Sequence, residues 1–120
     1  MPGETILLVE DNSDVSTVFT EVLETLGYRV LSAPSGEEAL RIGEREGATI
    51  RLVLTDLTLS GMTGTDVCRA LRARGLTPPA IVFSGYPPPP GATAVEGVVA
   101  WLQKPFAVDE LLAAVRRALS

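Results

Sequence analysis

A chain of 120 residues has the length of one domain with one core, and 46% hydrophobic against 21% charged residues excludes disorder. The formal charge is −5, with no basic run, so direct nucleic-acid binding by this chain is disfavoured. Histidine is absent and Cys68 is the single cysteine, which excludes a Ser-His-Asp triad, a His-ligated metal, a cysteine-based zinc site, a histidine phosphoryl carrier within the chain and a disulfide framework.

No apolar stretch approaches the length of a membrane span, and the N-terminus lacks a signal-peptide pattern. A reducing cytoplasm is therefore the expected location. "TILLVE" predicts a buried strand, followed by two acids, Glu10 and Asp11. From Ser13 onward, Val15, Val18, Phe19, Val22, Leu23 and Leu26 recur at helical spacing until Gly27 stops the helix. "YRVLSA" predicts a second strand, and Ser35 with Glu38 has the pattern of a capping box opening a second helix through Leu40. "RLVLTD" is a third strand. Thr63 or Thr65 then opens a helix carrying Val67, Cys68 and Leu71.

"PAIVF" is a fourth strand, followed by the one low-complexity stretch, Pro87 to Pro90. Proline fixes φ and lacks an N–H, so this run is expected as polyproline II. Only Gly91 to Glu96 remains before Gly97, and a helix there is expected to shrink to about one turn or vanish. "VVAWLQ" is a fifth strand, and a last helix carries Val108, Leu111, Leu112, Val115 and Leu119. The strands are short, rich in Val, Ile and Leu, and mostly not alternating, which suits parallel strands covered on both faces by helices.

An open parallel α/β sheet binds its ligand outside the carboxyl ends of the strands. At those ends stand Glu10 and Asp11, then Asp56, then Ser84 with Gly85, then Lys104 with Pro105. Three converging carboxylates repel, by roughly 4 kcal/mol per close pair at an effective dielectric near 20. A divalent cation relieves this, and hard oxygen ligands on a partly open site suit Mg2+.

With Glu10-Asp11, Asp56 in "LVLTDLTLSGMTG", Ser84-Gly85 and Lys104-Pro105 in "LQKPF", the chain resembles, over essentially its whole length, the receiver domain of bacterial two-component response regulators. The resemblance implies a single flavodoxin-like (βα)5 domain over residues 1–120, like a chemotaxis regulator, with strand order 2-1-3-4-5. It implies that Asp56 accepts a phosphoryl group from a phosphohistidine on a histidine kinase or histidine phosphotransfer protein. Glu10, Asp11, Asp56 and the backbone carbonyl of Thr58 would hold Mg2+. Lys104 and Ser84 would meet the phosphoryl oxygens, and Ser84 with Trp101 would form the conformational switch. Such a protein catalyses its own phosphorylation and dephosphorylation and signals to a downstream protein or a tethered output domain. "SGY" followed by "LQKPF" resembles receivers attached to hybrid histidine kinases.

Plainer readings stand beside these. Asp11 or Asn12 caps the first helix, Asp56 and Ser84 are turn residues, Lys104 is solvated, Cys68 is a small helix-face residue, and Trp101, bulkier than the usual Tyr or Phe, is an apolar surface residue. Three rival functions remain. A haloacid-dehalogenase-type phosphatase needs a D-x-D pattern that "VEDNSD" lacks. A flavodoxin-like cofactor binder needs a phosphate loop where Glu10 and Asp11 would repel phosphate. A degenerate receiver that only binds partners would not need Asp56, Asp11 and Lys104.

Overall fold

The computed structural model describes residues 3–88, 90, 95 and 97–120. In chain order the elements are β1 (Thr5–Val9), α1 (Ser13–Thr25), β2 (Arg29–Ala33), α2 (Gly36–Glu46), a 3-10 turn (Gly47–Thr49), β3 (Ile50–Asp56), α3 (Gly64–Ala73), β4 (Ala80–Ser84), β5 (Val98–Gln103) and α4 (Val108–Leu119). All strand pairs are parallel, and the sheet order is β2-β1-β3-β4-β5. This is the expected flavodoxin-like arrangement.

The unbroken apolar runs have a direct explanation. Leu7, Val9, Val53 and Val82 pack on one sheet face with Ala39 and Ile42 of α2 and Val67, Cys68 and Leu71 of α3. Their neighbours Ile6, Leu8, Leu52, Leu54, Ile81 and Phe83 pack on the other face with Phe19 and Leu23 of α1 and Leu111, Ala114 and Val115 of α4. Successive side chains point to opposite faces, and both faces are buried, so no polar alternation survives in the central strands. The stripe read along α1 is wider than the face it buries, since Val18 and Leu26 are exposed.

The helix starts follow from local hydrogen bonding. Asn12, not Asp11, caps α1; its side-chain oxygen accepts from the N–H groups of Asp14 at 3.0 Å and Val15 at 3.1 Å. Ser35 accepts from the Glu38 N–H, but the Glu38 carboxylate takes a hydrogen bond from Arg41, so the predicted box is formed on one side. The helix it opens runs past Leu40 to Glu46. Thr63 caps α3 with a reciprocal box: Asp66 N–H reaches the Thr63 hydroxyl, and Thr63 N–H reaches the Asp66 carboxylate, each at 3.1 Å. Gly27, at φ +95°, turns the chain out of α1.

Replacing Asn12 by Ala should cost about 1 kcal/mol, a fall of several degrees in melting temperature, with Mg2+ affinity retained. Thermal melts with and without Mg2+ check this.

Among the described residues, four α-helices are present and none lies between β4 and β5. The one-turn helix expected between Gly91 and Glu96 falls largely on residues 91–94 and 96, outside the described residues; of the expected polyproline II run only Pro89 lies outside them, and Pro87 and Pro88 belong to no helix or strand while Pro90 lies in a turn. Tyr86, Pro87, Pro88 and Pro90 are exposed.

Candidate functional site

Parallel pairing sets the site residues side by side at one edge. Asp56 is the last residue of β3, pairs with Phe83 of β4, and is buried. Ser84 ends β4 and pairs with Gln103 of β5, one residue before Lys104. The Lys104 N–H donates to the Ser84 carbonyl at 2.7 Å, and the Leu57 N–H donates to the Phe83 carbonyl at 2.9 Å. The ladder thus continues one residue beyond the strands and carries the functional side chains with it. On the other side, Glu10 follows β1 directly, and its N–H donates to the Ala33 carbonyl.

The side chains converge as expected for Glu10, Asp11, Asp56 and Lys104. Glu10, Asp11 and Asp56 each offer a carboxylate oxygen within 4.8 Å of the others. Lys104 Nζ stands 3.2 Å from Asp56 Oδ2 and 3.9 Å from Glu10 Oε2. The other Asp56 oxygen, Oδ1, accepts the Thr58 N–H at 3.2 Å. The Ser84 hydroxyl is buried and accepts the Tyr86 N–H at 3.1 Å, which leaves its own proton free to be donated. Asp11 is exposed, at the mouth of the cluster.

One ammonium does not balance three carboxylates. Glu10 is the group that shows this. Its carboxyl is raised to about 7, chiefly by burial and further by its Asp56 neighbour, while the Asn12 N–H and Lys104 pull the other way. Its Oε1 accepts the Asn12 N–H at 3.0 Å, but its buried Oε2 has no hydrogen-bond partner. A buried carboxylate oxygen with no hydrogen bond and only a long contact to Lys104, beside two further carboxylates, is a donor set for a hard cation, and Mg2+ fits it.

A pH dependence follows for the metal-free protein. The folded Glu10 carboxyl titrates near 7 and the unfolded one near 4.5, so between these values the folded state holds the extra proton. The contribution of Glu10 to stability is then greatest below the unfolded value and is lost as pH rises through the window towards 7. Melting temperatures at pH 5 and pH 8 in chelator check this. Glu10→Gln should flatten the difference, and saturating Mg2+ should reverse it.

Trp101 is placed apart from the carboxylates. It pairs with Val82 in register and packs, half-buried, against the core on the α2–α3 face. Its indole N–H is buried without a hydrogen-bond partner among the described residues. The residue is therefore neither an apolar surface residue nor fully enclosed. Cys68 lies in the same core; burial pushes its thiol up to about 11, so it is a packing residue and not a nucleophile.

Two features of the site carried no sequence signal that was used. Phe83 forms its floor, with Lys104 Nζ 5.1 Å from the ring centroid and the rings of Phe19 and Phe106 packed around it. Its place as the residue before Ser84 was the available clue. The second is Gly64, a glycine directly after a helix cap, where a better helix former would be expected.

Comparison with known proteins agrees with the geometry. The family described as the response regulator receiver domain matches residues 6–116. The sensory transduction protein RegX3 of Mycolicibacterium smegmatis is 36% identical over 115 residues, covering 95% of this chain and 50% of the relative. The chain therefore spans about half the length of that curated relative. Among solved structures, a response regulator receiver domain protein from Clostridium thermocellum superposes with a TM-score of 0.87 at 28% identity, covering 96% of this chain and 93% of that one. The receiver domain of the hybrid histidine kinase CckA gives 0.84 at 34% identity, covering 97% and 99%.

Proposed function

Since the chain belongs to the response regulator receiver domain family of two-component systems, we propose that it accepts a phosphoryl group on Asp56 and signals by the resulting change in conformation. The observation that carries this is the placement of the Asp56 carboxylate, held by Lys104 and the Thr58 N–H, beside the carboxylates of Glu10 and Asp11.

Phosphoryl transfer asks a protein for little covalent chemistry and much positioning. An Asp56 carboxylate oxygen attacks phosphorus of a phosphohistidine. A P–O bond forms, the P–N bond breaks, and the electron pair stays on the imidazole of the donor. The donor must be another protein or domain, because this chain has no histidine. A histidine kinase or histidine phosphotransfer protein fits. Lys104, 3.2 Å from Asp56 Oδ2, needs only a small shift to meet a phosphoryl oxygen. Ser84 holds a free hydroxyl proton at the end of the adjacent strand and would donate it to the same group. Glu10, Asp11, Asp56 and the Thr58 carbonyl would hold Mg2+, which would supply the remaining positive charge for the equatorial oxygens.

Movement of Ser84 towards the phosphoryl group would free space beside β5, and Trp101 is read as the residue that responds. It is the chain's only tryptophan, so its emission reports on the site. We read residues 1–120 as one receiver domain working in the cytoplasm through a downstream protein or a tethered output domain, with no separate enzymatic activity. Among the described residues no helix is long and apolar enough to cross a membrane.

Incubation with Mg2+ and acetyl phosphate tests the reading by intact mass. A gain of one phosphoryl group, and uptake of beryllofluoride that changes Trp101 emission, are expected. A chain that does neither in saturating Mg2+ is not a phosphoacceptor.

A further inference from the structure

The acceptor's own peptide is gripped more tightly than the requirements of a strand end explain. The Asp56–Leu57 peptide is fixed at both poles. Its N–H donates to the Phe83 carbonyl at 2.9 Å, and its carbonyl accepts the Thr55 hydroxyl at 2.9 Å. Thr55 is fully buried. The first residue of α3, Gly64, lies against the same carbonyl. A Cβ built on Gly64 would collide with the Asp56 carbonyl oxygen and come within 2.9 Å of Thr55 Oγ1 and 3.0 Å of Thr55 Cγ2.

Gly64 is not there for its backbone freedom, because it is absent from the glycines with positive φ. It is also a poor helix former, unfavourable by about 1 kcal/mol relative to alanine in a helix interior. What it provides is close approach. With no side chain it lets α3 press on the acceptor peptide, while its own N–H donates to the Leu57 carbonyl at 2.8 Å. Thr58 and Thr63 pair across the loop between them, closing it against the start of the helix. The Thr58 N–H that holds Asp56 Oδ1 hangs from this closed loop.

We propose that Gly64 and Thr55 are positioning residues for phosphoryl transfer: together they fix the Asp56 peptide and so aim its carboxylate. The proposal rests on Asp56 being the acceptor. A larger residue at 64 tilts the peptide, swings the carboxylate away from Lys104, and moves the Thr58 backbone with it. Loss of the Thr55 hydroxyl leaves the carbonyl unheld on one side and loosens the same aim.

The test measures phosphoryl uptake from acetyl phosphate at saturating Mg2+, the Mg2+ dissociation constant by calorimetry, and the melting temperature, all on the whole chain. Gly43→Ala is the structural control, since its Cβ would press on Leu71 at 2.8 Å within the α2–α3 core, away from the acceptor. Gly64→Ala should slow uptake about 100-fold, the order expected for a displacement of roughly 1 Å at a reacting group. Thr55→Val should slow it about 5-fold while Thr55→Ser, which keeps the hydroxyl, stays within about 2-fold of the parent chain. Gly43→Ala should lose melting temperature and keep its rate. Should Gly64→Ala fail to fold, the Thr55 pair decides. Parent-like rates in Thr55→Val, or a Gly43→Ala chain slowed as much as Gly64→Ala, would overturn the proposal. A parent chain that takes up no phosphoryl group would instead overturn the acceptor assignment, and the proposal with it.

Discussion

Asp56→Asn is expected to take up no phosphoryl group under conditions where the parent chain gains one. The substitution is nearly isosteric, but its single oxygen can accept from only one of the two donors that Asp56 Oδ1 and Oδ2 now serve, the Thr58 N–H and Lys104. What is lost is the anionic nucleophile, since a neutral amide oxygen does not form an acyl phosphate that survives. The carboxylate crowd also loses one member, so the metal-free variant should melt no lower than the parent. Intact mass and a thermal melt report the two effects separately. A persistent mass gain in a folded Asp56→Asn chain would place the acceptor elsewhere, with Asp11 the first residue to examine.

Asp11→Ala is expected to weaken Mg2+ binding about 100-fold, at the upper end of what the loss of a group around a metal site produces. Asp11 is exposed and does not cap the helix behind it; that task belongs to Asn12. Its removal should therefore leave the fold intact and ease the repulsion on Glu10 and Asp56. The combination is diagnostic: weaker metal binding, slower uptake at limiting Mg2+, and a melting temperature in chelator equal to or above the parent's. Calorimetric titration with Mg2+ checks the first. Unchanged affinity in Asp11→Ala would mean that the acidic pair after β1 is not the metal site.

The contrast between Asp11 and Asn12 shows where sequence reading stops. Both residue types cap helices, and they are adjacent, so spacing alone left the choice open. The three-dimensional placement of one carboxylate beside two others, and of one amide over two free N–H groups, resolves it. The central strands were legible because burial on both faces writes itself as unbroken runs of Val, Ile and Leu. Their carboxyl ends were legible because charge interrupts those runs abruptly at Glu10, Asp56 and Lys104. Only "VVAWLQ" matched its strand end to end; β3 starts one residue earlier, at Ile50, and β2 one residue later, at Arg29, than the sequence patterns suggested. Gly64 was opaque for a different reason. A glycine needed for space leaves no mark that distinguishes it from one needed for a turn, because the atom it makes room for belongs to a strand eight positions back. Phe83 was likewise hidden inside "PAIVF", where the alternation that would separate floor from core is erased by burial on both sides.

The hydrogen bond between Lys104 and Asp56 joins residues 48 positions apart, and the lysine follows the last strand of the sheet. Contacts of such long range are slow to form, and here they also wait for synthesis. A nascent chain that has emerged only as far as β4 already displays Asp56, Glu10 and Asp11, but it has no ammonium to draw a phosphoryl group in. The Asp56 carboxylate has no Lys104 beside it until β5 leaves the ribosome and docks beside β4. On the proposed reading of Asp56 as the acceptor, products that stop before β5 are expected to take up no phosphoryl group.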